Sequence, residues 1–192
     1  MLFLDIECYS NYFLISFLHH KTGKIAAFEL HENQPLQIEA VKKLMNNYTT
    51  VSFNGLSYDL PMIAAALKGF SNARLKTLSD SIIKSNLPSW RVCKDNNIFV
   101  PKSWDHIDLI EVAPGQASLK IYGGRMNAPK MQDLPLEPNA LIQPEQFELM
   151  RLYCANDLRT TQMLYEKLEG ELELRKSMSE QYGVDLRSKG GA

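Results

Sequence analysis

The chain reads as an α/β domain whose mixed sheet is flanked by helices, and three observations point there. The first 30 residues hold three apolar stretches of strand length, at 2–7, 13–18 and 25–30. A segment with helical spacing then leads to a short β-branched run at 49–53. Beyond it the pattern is mostly helical and ends in one long segment from Pro144. Hairpin-linked strands followed by a helical crossover make a sheet that is antiparallel on one side and parallel on the other.

Each element has its own signal. Along 2–7, Leu2, Leu4 and Ile6 fall on one side of a strand and Phe3, Asp5 and Glu7 on the other. The runs 13–18 and 25–30 flank Lys21-Thr22-Gly23-Lys24, a hairpin turn. Pro35 is expected to open a helix, because Leu36, Ile38, Val41, Leu44 and Met45 follow a spacing close to 3.6. The strand at 49–53 ends at Asn54-Gly55, and a helix follows from about Leu60 to Leu67, with Pro61 in its first turn and Gly69 as its stop. A further helix is expected over about 73–85 and a strand over 107–110. The stretch 112–139 is punctuated by Pro114-Gly115, Gly123-Gly124, Pro129 and Pro135, which predicts loop with short helical pieces. From Pro144 one helix is expected to about Gly170, with a charged extension toward Gln181 and a frayed end at 189–192. The division expected is therefore one domain over 1–170 and an extension over 171–192 that could join a further domain.

Composition bounds the function. The chain has 192 residues, 45% hydrophobic and 22% charged, which is globular rather than fibrous or disordered. Twenty-one basic and 22 acidic side chains leave a net charge of −1, which excludes a duplex-coating protein that binds by neutralising many phosphates. It leaves room for a protein that holds a short strand through metal ions. Cys8, Cys93 and Cys154 form neither a disulfide framework nor zinc-ligand spacing, as expected of a reducing compartment. The N-terminus lacks the basic start and apolar run of a signal peptide, and no apolar stretch approaches a membrane span. An intracellular, cytoplasmic protein without a membrane partner is the expectation.

Three acidic features carry chemistry. Asp5-x-Glu7 puts two carboxylates on one face of an apolar strand, which is costly unless a cation compensates them, and Mg²⁺ suits oxygen ligands and open substrate positions. A pair of this type arises by chance about 0.7 times in such a chain, so alone it decides little. Asn54 and Asp59 lie where a strand meets the next helix, the usual ligand position in α/β folds, although Asn54 could be a turn residue and Asp59 a helix cap. Tyr153 and Asp157 are four apart on a helix face that also carries Leu149, Met150 and Leu164, and Arg151 or Arg159 could be the partner of Asp157.

Together, Asp5, Glu7, Asp59 and Asp157, with Tyr153 one turn before the last, resemble the DEDD exonucleases, the DnaQ-like group of the ribonuclease H-like superfamily. The first family motif is matched by Asp5 and Glu7, the second by Asn54 and Asp59, and the third by Tyr153 and Asp157. Leu152 stands where the histidine branch has His, so the resemblance is to the tyrosine branch. It runs from the N-terminus to about residue 170, and the expected sheet is then ribonuclease H-like. The stretch from Ser118-Leu119-Lys120 through Gln132-Asp133-Leu134-Pro135 further resembles the proofreading exonuclease region of phage-type family A DNA polymerases. No polymerase motif is present, so the implied protein is either an excised domain or a stand-alone exonuclease, in a bacterial or phage-infected cell.

The resemblance implies a metal-dependent 3′–5′ exonuclease that releases nucleoside 5′-monophosphates from single-stranded DNA 3′ ends, with a polymerase domain or replication proteins as partners. Two divalent ions, Mg²⁺ or Mn²⁺, would be held by Asp5, Glu7, Asp59 and Asp157, Asp5 bridging both. Tyr153, with a reference pKa of about 10, would orient the attacking water rather than act as a base. Asn54 would contact the terminal sugar or strand, Phe53 and Tyr58 would stack or simply pack, and Lys120, Arg125 and Lys130 are candidates for phosphate contact. Asp105, His106, Asp108 and Glu111 form a further small cluster that reads as polar residues at a strand end and on the surface, although Asp108 could support the site. The alternatives are an exoribonuclease of the same group, a catalytically silent DEDD-like binding or scaffold domain, and a non-nuclease module whose motifs arose by chance.

Overall fold

The alternation along the first strand decides how the layers assemble. In the computed structural model, which describes residues 1–115, 117–129 and 133–188, strands β1 (Leu2–Cys8), β2 (Phe13–His19) and β3 (Ile25–Leu30) form an antiparallel meander. Two short strands, β4 (Thr50–Ser52) and β5 (His106–Asp108), add in parallel on the other side of β1, giving the order β3-β2-β1-β4-β5. The mixed five-stranded sheet expected from the sequence is thus present. Leu2, Leu4 and Ile6 join Phe13, Ile15 and Phe17 under helices α1 (Ile38–Asn47), α2 (Asp59–Leu67), α3 (Asn72–Lys84) and α4 (Ser89–Asp95). Phe3, Leu14 and Leu18 face the opposite layer, made by α5 (Leu119–Arg125), α6 (Phe147–Lys167) and α7 (Glu169–Tyr182). Among the described residues no helix is long and apolar enough to cross a membrane.

Several boundaries differ from the sequence expectation, each for a local reason. The amide of Ile38 donates to the carbonyl of Leu36, so the chain makes a tight turn after Pro35 and α1 begins three residues late. The β5 strand stops at Asp108 because its carboxylate accepts from the amide of Ile110 and starts a 3₁₀ turn at Leu109–Glu111. The single long helix breaks at Leu168, whose amide is shared between the carbonyls of Leu164 and Tyr165. The short helix α4, not foreseen, follows Pro88 and buries only Val92 and Cys93. The extension is not uniformly solvated: Leu172 packs into the α6 layer. Beyond α7 the chain folds back on the edge of β5, where Arg187 pairs with Asp105 at 2.6 Å and the Ser188 hydroxyl accepts from the amide of Asp108 at 2.8 Å. The frayed end expected at 189–192 lies outside the described residues.

The turn after β4 leaves no room for a side chain. A Cβ at Gly55 would stand 1.8 Å from Ser52 Oγ and 3.0 Å from His106 Nε2, and Ser52 Oγ is itself bonded to that ring nitrogen at 3.2 Å. Gly55→Ala is expected to destabilise the fold by about 1–3 kcal/mol. Ser52→Ala in the same chain should recover part of the loss, as read by urea denaturation.

Candidate active site

The site forms where the sheet opens. β4 pairs with β1 only at Leu2 and Phe3, so the C-terminal half of β1 has no strand on that side. Into this gap point the carboxylates of Asp5 and Glu7 on the α6 face, and the first turn of α2 approaches from the edge. Asp59 is the first residue of α2, with Tyr58 in the cap position and no side-chain cap bond there. Hydrogen bonds to the Asp59 carboxylate come instead from its own amide and from the amide of Ile6, a ladder position that β4 leaves unpaired. The α6 helix crosses over the gap and brings Tyr153, Cys154 and Asp157 to it.

The four carboxylates act on one another. Glu7 is 8% exposed and Asp59 4%. Burial, followed by the charges of Glu7, Asp59 and Asp157, holds the Asp5 carboxyl well above the ordinary carboxylate range. The same holds for Glu7, through burial and then Asp157 and Asp59. Burial and the charge of Asp108 push Asp59 up to about 7. Asp157 is raised by burial and held down in part by hydrogen bonds from Asn156 and Tyr153. Among the described residues no cationic side chain is a leading cause of these shifts. Arg151, a candidate partner for Asp157, instead grips Glu29 with both contacts at 2.8–2.9 Å and Glu148 at 3.0 Å. Arg159 is exposed. Carboxylate oxygens are donors that could hold Mg²⁺ or Mn²⁺.

Cys154 was not singled out from the sequence. Its thiol donates to Asp5 Oδ2 at 3.2 Å, and Asp5, Glu7 and Cys154 offer ligand atoms within 4.8 Å of one another. Burial and the charges of Asp5 and Glu7 keep that thiol protonated, well above its ordinary value. The signal was present: Cys154 lies three residues before Asp157, on the same helical face. Burial, then the neighbouring carboxylates, also raises the Tyr153 hydroxyl, which donates to Asp157.

Asp108 supports this centre through the backbone. Buried, it accepts from the amide of Asn54 at 2.7 Å and from that of Leu56 at 2.9 Å, pinning the loop that leads to Asp59. Asn54 itself sits at φ +66°, a left-handed conformation that asparagine tolerates better than most residues. His106 is buried between Thr50 Oγ1 at 2.8 Å and Ser52 Oγ at 3.2 Å, and burial draws its pKa down to about 4.

The candidate substrate residues divide. Lys120 lines a hollow of about 150 Å³ together with Tyr153, Asn156 and Asp157, but its ammonium is engaged by Asp133. Arg125 lies over the ring of Tyr122, 5.9 Å from its centre. Phe53 packs edge-on against that same ring, so its role is packing. The Tyr58 hydroxyl bonds Ser79 Oγ at 2.7 Å and turns inward to α3, while Asn54 and Tyr58 line a separate hollow. Lys130 lies outside the described residues.

Comparison with protein-family models, with curated proteins and with solved structures gives no match.

The buried carboxylates have a signed consequence for stability. Asp59 moves from 3.8 to about 7, so the metal-free folded state keeps a proton that the unfolded chain loses between those values. Its stability contribution is full below about pH 4 and is lost as pH rises through about 7. His106 works in the opposite sense on the acid side, a contribution common to parent and variant. Asp59→Asn is therefore expected to stabilise the metal-free protein at pH 8 by up to about 4 kcal/mol. Denaturation in chelator should show that gain vanishing near pH 4. Asp108→Ala, which frees the amides of Asn54 and Leu56, is expected to cost about 1–3 kcal/mol in the same assay below about pH 7, where Asp59 keeps its proton, and less above it, where the variant also removes the charge that repels Asp59.

Proposed function

We propose that the chain is a metal-dependent 3′–5′ exonuclease acting on single-stranded DNA ends, of the DEDD type in its tyrosine branch. The observation that carries this reading is the convergence of Asp5, Glu7, Asp59 and Asp157 from one strand and two helices, each with its pKa raised and none paired with a cation among the described residues. The sheet order β3-β2-β1-β4-β5, antiparallel then parallel, is compatible with a ribonuclease H-like fold and supports it.

On this reading Asp5, Glu7, Asp59 and Asp157 would hold two divalent ions, Mg²⁺ or Mn²⁺, which supply an activated water and charge for the leaving oxygen. The protein's own groups then position and orient. Asp5 and Glu7, two residues apart on a rigid central strand, keep a fixed separation on one face. The hydroxyl of Tyr153 keeps its proton, which it gives to Asp157, and its oxygen would accept from the attacking water, aligning it rather than deprotonating it. Asn156 and Tyr153 fix the rotamer of Asp157, and Asp108 holds the backbone on which Asn54 faces the strand. The Cys154 thiol orients one oxygen of Asp5.

The test is digestion of a 5′-labelled single-stranded DNA oligonucleotide with Mg²⁺ or Mn²⁺. A ladder shortening from the 3′ end is expected, abolished by EDTA and by Asp5→Ala with Glu7→Ala. Tyr153→Phe should retain metal binding and lower kcat by about 10–100-fold, as misalignment of a reacting group does. Mn²⁺ should raise the melting temperature of the parent at pH 8 and leave that of the Asp5→Ala, Glu7→Ala variant unchanged. An oligonucleotide left intact under both metals would overturn the reading.

A further inference from the structure

We infer that α4 and the loop after it form a stacking platform for the single strand of DNA lying 5′ of the nucleotide in the site; this rests on the exonuclease reading. The starting point is an exposed aromatic pair: Trp90 is 63% exposed and Phe99 74%. Neither ring meets another aromatic side chain among the described residues. They line one hollow of about 530 Å³ with Leu56, Pro61, Ser89 and Lys94. A second hollow, of about 460 Å³, shares Ser89 and runs past Ile83 to Asn54 and Tyr58. Tyr58 immediately precedes Asp59, so the second hollow reaches the loop that carries Asp59.

Charge selects the occupant. Residues 82–104 carry Lys84, Arg91, Lys94 and Lys102 against the single acid Asp95, in a chain whose net charge is −1. Lys94 and Lys102 make no ion pair among the described residues, and the pairs of Lys84 with Asp80 and Arg91 with Asp95 are exposed and readily exchanged for phosphate. A protein interface would deplete charge at the centre of its apolar patch. Basic side chains interleaved with exposed rings are instead what a single strand uses, bases on the rings and phosphates on the cations. Without bound cations the carboxylate centre repels phosphate, so strand affinity then has to come from basic side chains elsewhere.

The full chain tests this with Trp104→Phe as background, which leaves Trp90 the sole tryptophan. In EDTA, where no cleavage occurs, an oligothymidylate of about 12 nucleotides should quench Trp90 emission, and Trp90→Ala with Phe99→Ala, in the chain that keeps Trp104, should weaken its binding by about tenfold or more in fluorescence anisotropy. Lys94→Glu, which keeps both rings, should also weaken binding and lower the slope of log affinity against log salt by about one. With Mn²⁺ the double variant should cleave a substrate of about three nucleotides at the parent rate, its unchanged melting temperature confirming an intact fold. Absent quenching, or a double variant that binds the longer strand like the parent, would overturn the platform even while cleavage stands. Quenching and ring-dependent binding without cleavage under either metal would support the platform and overturn the nuclease reading. Capture of a protein partner in place of DNA on the Trp90 face would overturn it as well.

Discussion

Repulsion among four carboxylates is the constraint around which the chain is arranged. Asp5, Glu7, Asp59 and Asp157 could relax by turning toward water, yet each is set on an element that forbids it. Asp5 and Glu7 belong to the central strand, whose register with β2 is fixed over seven residue pairs. Asp59 is 4% exposed in the first turn of a helix, where the positive end of the helix dipole and two amides partly offset its burial. Asp157 sits on a helix whose neighbouring residues Cys154, Leu158 and Thr161 are buried. A gap in the sheet makes this possible. Had β4 continued along β1, the amide of Ile6 would be spent on the ladder and no crevice would exist for the acids to share.

What surrounds the acids are weak, neutral donors. The Cys154 thiol on Asp5, the Tyr153 hydroxyl and Asn156 amide on Asp157, and backbone amides on Asp59 each soften the cost without supplying a full positive charge. A lysine or arginine in the same place would neutralise the cluster and close it to cations. Arg151 is held elsewhere by Glu29 and Glu148, and Arg159 is exposed. Strain of this kind is sustainable because both faces of the sheet are packed, with Phe3 and Leu4, adjacent on β1, each essentially inaccessible on opposite sides. Stability lost in the crevice is offset in the layers, as it is at functional sites generally.

The elements that were legible are those set by local pattern. Alternation along β1 separated its core face from its acidic face, the Thr22-Gly23 turn marked the hairpin, and Asn54-Gly55 marked the end of β4. The four carboxylates were readable because each stands at a strand face, a helix start or a helix face. Long-range partners were not readable. Cys154 became part of the centre through a contact with Asp5, 149 residues away. Asp108 looked like one acid among several until the amides of Asn54 and Leu56 closed on it across 54 and 52 residues. The docking of Arg187 and Ser188 against β5 depends on side chains 82 and 80 residues away, beyond the reach of periodicity. The phosphate candidates fared unevenly for the same reason: Lys120 was visible as a charge, and its engagement by Asp133 was not.

The net charge of −1 therefore says little about polyanions, because what matters is where the charges stand. Acids are collected at the sheet opening, and four cations with two exposed rings are collected on residues 82–104. On the proposed reading these are two halves of one task. Cations bound by the acids attract the phosphate that is cut, and the ringed, basic surface holds the phosphates that are not. Separating the two keeps the cutting centre free of fixed positive side chains, which would compete with metal ions for the carboxylates. It also places non-specific affinity where it leaves the alignment of the reacting bond undisturbed. The loop from Asn54 to Tyr58 joins the halves, and Asp108 holds that loop by its amides. A single buried carboxylate, bonded to the amides of Asn54 and Leu56, thus sets the geometry between them.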